Sequence, residues 1–132
     1  MTAQYQYTRV LTERFAETFA FYRDVMGFTP VFGTEQDTYA DFDTASLHIS
    51  LFDRAEMSAA LGTSGQPLGG SEQDGICLVF EVEDVVAEAQ RLAVLGVHLV
   101  TPPTPHPEWG ITTLHLRDPE GTLIELNQPL VE

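Results

Sequence analysis

The sequence predicts an α+β fold: two βαβββ modules forming a curved mixed sheet around a concave cavity, with the helices on the outer face. Three observations predict it. Thr8–Val31 (TRVLTERFAETFAFYRDVMGFTPV) lies without a gap under Cys77–Val100 (CLVFEVEDVVAEAQRLAVLGVHLV) at a constant offset of 69. Each copy runs from a short apolar strand through a polar turn into an amphipathic helix that stops at a glycine, Gly27 or Gly96. Three β-rich stretches then follow each helix. A module this small cannot cover both faces of its own sheet, so two modules must share one, within a chain or between two chains.

The first module spans about 5–53. Its helix carries Phe15, Phe19, Tyr22 and Met26 at helical spacing, one apolar stripe. Gly27 is the expected stop, because glycine enters the left-handed region without strain. Thr29–Phe32, Tyr39–Phe42 and Ala45–Phe52 read as strands. A connector over 54–74 opens with a helical turn and continues as the flexible, Gly/Ser/Pro-rich GTSGQPLGG.

The second module spans about 75–128. Val85, Ala89, Leu92 and Leu95 form its helix stripe, and Gly96 ends it. His98–Thr101, Ile111–Arg117 and Thr122–Asn127 read as strands, with a Pro-rich loop over 101–110. Asp118-Pro119-Glu120-Gly121 is a hairpin signal. If Pro119, Glu120 and Gly121 form a three-residue loop, Asp118 pairs with Thr122 and His115 falls opposite Glu125, with Cβ atoms ~5 Å apart. A two-residue loop would send His115 to the helix side. Glycine suits the left-handed position of the longer loop, which favours that register.

Composition bounds what such a chain can do. At 132 residues, 43% hydrophobic and 20% charged, it reads as one globular domain over 1–132 with a core of its own. Twenty acidic residues stand against six arginines and no lysine, a net charge of −14. That surface repels phosphate backbones and anionic lipid, which argues against nucleic acid and membrane partners. Without lysine there is no Schiff-base chemistry and no lysine-bearing phosphate loop. The lone Cys77 cannot form an internal disulfide, which fits a reducing, cytoplasmic setting. No apolar run reaches the ~18 residues of a membrane span, and no basic leader precedes one.

FYRDVMGF (21–28), VFEVEDV (79–85), the Pro102, Pro103, Trp109, Gly110 segment and LRDPEGTLIEL (116–126) resemble the vicinal oxygen chelate superfamily. That group holds glyoxalase I, extradiol dioxygenases, fosfomycin-inactivating transferases, methylmalonyl-CoA epimerase and bleomycin resistance proteins. The resemblance implies up to four inward-facing ligand slots, occupied in the metal enzymes by His, Gln or Glu. Carried over position by position, the first-strand slots fall on Tyr7 and Cys77 and the last-strand slots on His48 and Glu125.

Each candidate has two readings. Glu125, in LIEL, belongs to a solvated face or a polar cavity, and the resemblance turns it toward the cavity. His48 is a hydrogen-bonded core histidine or lines the site. His115 lines it if the three-residue loop holds. Cys77 is an inert core residue or a thiolate that needs a nearby cation. Tyr7 offers a hydroxyl or only a ring. Arg9, two residues on and on the same face, suits a carboxylate or enolate oxygen, or pairs with one of the many acids. Trp109 stacks on a planar ligand or closes the end of the core. His98 and His106 read as surface.

The resemblance implies a homodimer with a small-molecule ligand and leaves three functions open. The first is metal-free binding of the bleomycin-resistance type, in which acidity attracts a cationic aromatic drug. The second is an enzyme holding one divalent ion (zinc, nickel, manganese or iron) on His48, Glu125 and Cys77. There Glu125 and His115 would move a proton, as in a glyoxalase-type lyase or isomerase. Neither first-strand slot carries histidine, which argues against an extradiol dioxygenase. The third is a structural dimer with a vestigial cavity.

Overall fold

A computed structural model describes residues 1–2, 4–67, 74 and 76–130. The chain divides into two compact units, Met1–Gly69 and Gly70–Glu132. Each carries one four-stranded mixed sheet and a helix packed on one face.

The first unit runs β1 (Thr8–Thr12), α1 (Phe15–Ala20), β2 (Thr29–Phe32), β3 (Tyr39–Asp43), β4 (Ile49–Asp53) and α2 (Arg54–Leu61). Strand order is β1-β4-β3-β2, with β1 parallel to β4 and the other pairs antiparallel. Strand alternation divides the two faces. Val10, Leu51, Ala40, Ile49 and Phe42 turn toward α1 and are buried, beneath Phe15, Phe19 and Tyr22. The Phe19 and Phe42 rings lie 4.9 Å apart. Burying each such aromatic contributes roughly 2–3 kcal/mol. At the helix entry, the Thr12 hydroxyl accepts from the Arg14 N–H at 2.9 Å and meets the Thr18 hydroxyl at 2.9 Å.

The second unit runs β5 (Cys77–Glu81), α3 (Val85–Val94), β6 (Leu99–His106), β7 (Ile111–Arg117) and β8 (Leu123–Pro129). Its order, β5-β8-β7-β6, repeats that of the first sheet, with β5 parallel to β8. Leu114, Leu116, Ile124 and Leu126 meet Val85 and Leu92 of α3 in the core. Asp84 caps α3 by accepting from the Ala87 N–H at 3.0 Å.

The repeat is real, but its offset is not constant. Register makes Val10–Leu51 equivalent to Phe80–Leu126, and burial makes Phe15 and Tyr22 equivalent to Val85 and Leu92. All the β1/α1 matches differ by 70, whereas the stopping glycines Gly27 and Gly96 differ by 69. The extra residue of the first helix is absorbed in a π-helical turn, Phe21–Val25, that continues α1. There the Met26 N–H reaches back five residues to the Phe21 carbonyl. The closing bond from Phe28 to Tyr22 likewise spans one residue more than its counterpart from Val97 to Leu92.

Four local expectations change. The strand expected over Ala45–Phe52 begins only at Ile49, because Ala45 takes a positive φ of 68° in a turn that Asp43 stabilises by accepting from its N–H. The Pro-rich stretch expected as a loop is strand as far as His106. As the edge strand, β6 tolerates Pro102, Pro103 and Pro105 with two register shifts, since an edge needs only half its hydrogen bonds. Leu95 leaves the helix stripe and is 50% exposed, because α3 has ended at Val94. The helical turn expected after Asp53 is a full helix, α2, with Asp53 accepting from the Ala55 N–H at 2.8 Å and Gly62 closing it. The rest of the expected connector, beyond Pro67, falls mostly outside the described residues.

Candidate functional site

On each sheet, the face opposite the helix carries a polar row at the same height. In the second unit, register places Thr101, His115, Glu125 and Val79 side by side across β6, β7, β8 and β5. The three-residue loop creates this register. Gly121 takes a φ of 93°, Asp118 pairs with Thr122, and the Asp118 carboxylate accepts from the N–H groups of Glu120 and Thr122 at 2.9 Å.

His115 and Glu125 meet through Nε2 and Oε1 at 2.9 Å, with side chains 20% and 15% exposed. With Glu125 ionised, Nε2 carries the proton, and a neutral ring then accepts the Thr101 hydroxyl proton at Nδ1, 2.7 Å away. Asn127 Nδ2 donates to the second oxygen, Oε2, at 3.0 Å. Thr101, His115, Glu125 and Asn127 thus form one continuous chain of hydrogen bonds across the sheet. Thr113 flanks it opposite Asn127, fully buried and with no partner for its hydroxyl among the described residues.

The equivalent row of the first unit is Arg9, Ser50 and Asp41. The Ser50 and Tyr39 hydroxyls both donate to the Asp41 carboxylate, Tyr39 at 2.8 Å. The Ser50 contact pulls the Tyr39 phenol down, but burial and the Asp41 charge outweigh it and hold the phenol above its ordinary value. Arg9 Nη2 donates to the Tyr7 hydroxyl at 2.8 Å, and its guanidinium stands 5.4 to 5.7 Å from the ring centres of Phe52, Tyr7 and Tyr39. Beyond this row an open cavity of about 650 Å³ lies among Leu11, Met57, Leu61 and the 63–67 segment, with Glu13, Asp53 and Arg54 at its polar side.

The remaining candidates are scattered. His48 precedes β4 and is exposed, and the residue matching Glu125 by register is Ser50. Cys77 starts β5 half-buried, and burial, followed by the charges of Glu125 and Asp74, pushes its thiol up. Arg117 pairs with Asp74 but leaves the burial and the Glu125 charge in place, and the raised thiol keeps its proton at neutral pH. Trp109 is 59% exposed and stacks on His106, ring centres 4.1 Å apart. His98 is exposed.

A divalent ion calls for three or more protein donors. Among the described residues of either unit, no three His, Cys, Asp or Glu side chains converge on one point. In the second unit each nitrogen of His115 and each oxygen of Glu125 already has a protein partner. Within either unit, the donor set of the described residues does not fit a metal ion.

Sequence reasoning missed Asp41, Ser50, Tyr39, Thr101 and Asn127. The alternation in YADFD and ISLFD marks the first three as sharing a face, but on a lone strand that pattern equally describes a solvated surface.

Residues 4–126 match the family model for the Glyoxalase/Bleomycin resistance protein/Dioxygenase superfamily. The chain is 32% identical to the uncharacterized protein YraH of Bacillus subtilis (strain 168), over 92% of this chain and 95% of that one. Among solved structures, it is similar to a glyoxalase/bleomycin resistance protein/dioxygenase from Nocardioides. The TM-score is 0.78 at 17% identity, covering 98% of this chain and 85% of the other. A lactoylglutathione lyase from Agrobacterium tumefaciens gives a TM-score of 0.73 at 24% identity, covering 96% and 93%. The fosfomycin resistance protein FosX from Listeria monocytogenes gives 0.72 at 16%, covering 99% and 97%. At these identities the structural likenesses establish the fold alone.

Proposed function

The chain belongs to the Glyoxalase/Bleomycin resistance protein/Dioxygenase superfamily, and from that premise we propose that it binds a small organic molecule through hydrogen bonds, without a metal ion. The observation that carries this reading is the continuous hydrogen-bonded chain Thr101–His115–Glu125–Asn127. A metal could take the unengaged lone pairs of Glu125, but both His115 nitrogens are engaged, and freeing Nε2 breaks a bond to a charged group worth about 1.5–3 kcal/mol net. It would gain no third ligand from the same unit in return.

An organic ligand asks less of the site. An ionised carboxylate offers about four lone-pair positions, and the protein uses two of them at Glu125. The remainder can accept an N–H or O–H from a ligand lying over the sheet. His115 and Asn127 fix the carboxylate's direction, so little orientational freedom is lost on binding.

Metal analysis of protein purified without chelators tests the proposal, together with thermal melts in zinc, nickel, manganese and iron. The expected outcome is well under one metal per chain and no ion-dependent rise in melting temperature. One bound metal per chain, lost in Glu125→Ala and His48→Ala, would overturn the proposal in favour of a metal-dependent lyase or isomerase.

A further inference from the structure

Arg9 stands apart from the other arginines. Arg14, Arg23, Arg91 and Arg117 each pair with a carboxylate, and Arg54 donates to the Leu11 carbonyl at 3.1 Å. In a chain with 20 acidic residues, Arg9 makes no ion pair with any described residue. Among the described residues its single hydrogen bond goes to a neutral phenol, Tyr7. Three rings, Tyr7, Tyr39 and Phe52, hold the guanidinium in place on the face opposite α1.

A guanidinium has five N–H donors in a planar fork, and the described residues use only one of those of Arg9. Aromatic contact lowers the cost of fixing the long side chain while leaving the charge unneutralised. Such a group is prepared for a planar oxyanion, which can accept two parallel N–H bonds. The nearby Asp41 does not fill this role. Its carboxylate is occupied by the Tyr39 and Ser50 hydroxyls instead. Because Arg9 already fills the ring cluster, a cationic ligand would have to expel it.

We propose that Arg9 is the anchor for the carboxylate of a small organic anion, which specifies the ligand class of the binding function above and rests on that reading. The body of the ligand has room beside it. Leu11 borders the cavity of about 650 Å³ and shares a strand row with Phe52, one of the rings beneath the guanidinium. The net charge of −14 repels anions at long range, but that repulsion is screened beyond ~8 Å at physiological salt. A direct pair with the guanidinium lies well inside that screening length. The local contact therefore decides.

The test is an NMR titration of the full chain at 0.15 M salt with 2-naphthoate and, separately, benzyltrimethylammonium. The expected result is saturable shifts at the Arg9 Nε–H and at Tyr7, Tyr39 and Phe52 with the carboxylate, and none there with the cation. In Arg9→Met the carboxylate affinity should fall at least tenfold, about 1.4 kcal/mol. Arg9→Lys, which keeps the charge but not the fork, should fall in between. Absence of saturable shifts in the unaltered chain, equal binding by Arg9→Met, or equal response to the cation would overturn the inference. Metal uptake at His115 and Glu125 would instead overturn the metal-free reading while leaving the Arg9 shifts in place, so the two failures are distinguishable.

Discussion

A single turn decides where His115 points. The expectation that it faces Glu125 rests on counting three loop residues between Asp118 and Thr122, and the structure places the pair in that register. Their partners Thr101 and Asn127 are invisible in the sequence, because a polar residue alternating on a strand looks the same whether it faces solvent or a site. The slot carried over to His48 shows the limit of that approach: register matches Glu125 to Ser50, two residues on. At this scale Cys77 offers a pH-dependent test. Its thiol is raised by burial and by the Glu125 and Asp74 charges, so iodoacetamide labelling should be slow at pH 7 and accelerate only above the ordinary thiol range of about 8.5. Because the folded state holds this proton more tightly, its contribution to stability is full below that range and fades as pH rises through the folded value. Rapid labelling at pH 7 of protein that remains folded would contradict the assignment.

At the level of elements, the gap-free repeat is legible, but the compensating slip inside it is not. Periodicity within one helix tolerates a single inserted residue, so the sequence alone does not separate an offset of 69 from one of 70. The core does, since Tyr22 and Leu92 are both fully buried. The π-helical turn should therefore be dispensable. Deleting the exposed Asp24 is expected to restore α-helical pitch and leave the chain folded, with melting changed by only a few degrees. Deleting Ala89 from α3 has no such slack. It would rotate Leu92 ~100° out of the core and cost about 3 kcal/mol, comparable to removing a buried leucine. Calorimetric melts of the two deletions compare them directly, and equal destabilisation would refute the inserted-residue account. The prolines of β6 make a related point. Strand propensity argues against them, and only the position of β6 at the sheet edge, a tertiary fact, permits them.

On the scale of the whole molecule, the repeated succession of one strand, one helix and three strands is the feature most fully anticipated by the sequence, because two amphipathic helices and their stopping glycines set the frame. Among the described residues no helix is long and apolar enough to cross a membrane. The repeated sheets are not chemically equivalent. Their matching rows are Arg9–Ser50–Asp41 and Val79–Glu125–His115, one bearing a cation with no ion pair among the described residues and the other a hydrogen-bonded acid. That divergence underlies the central claim, that the Glu125 row is a finished hydrogen-bond network and not a set of vacant metal ligands. Nitrogen-15 NMR of the His115 ring during a zinc titration tests it most directly. The account expects Nε2 to remain protonated and bonded to Glu125, with no change in its resonance up to several equivalents of zinc. A saturable shift of Nε2 at one equivalent, abolished by Glu125→Gln, would contradict it.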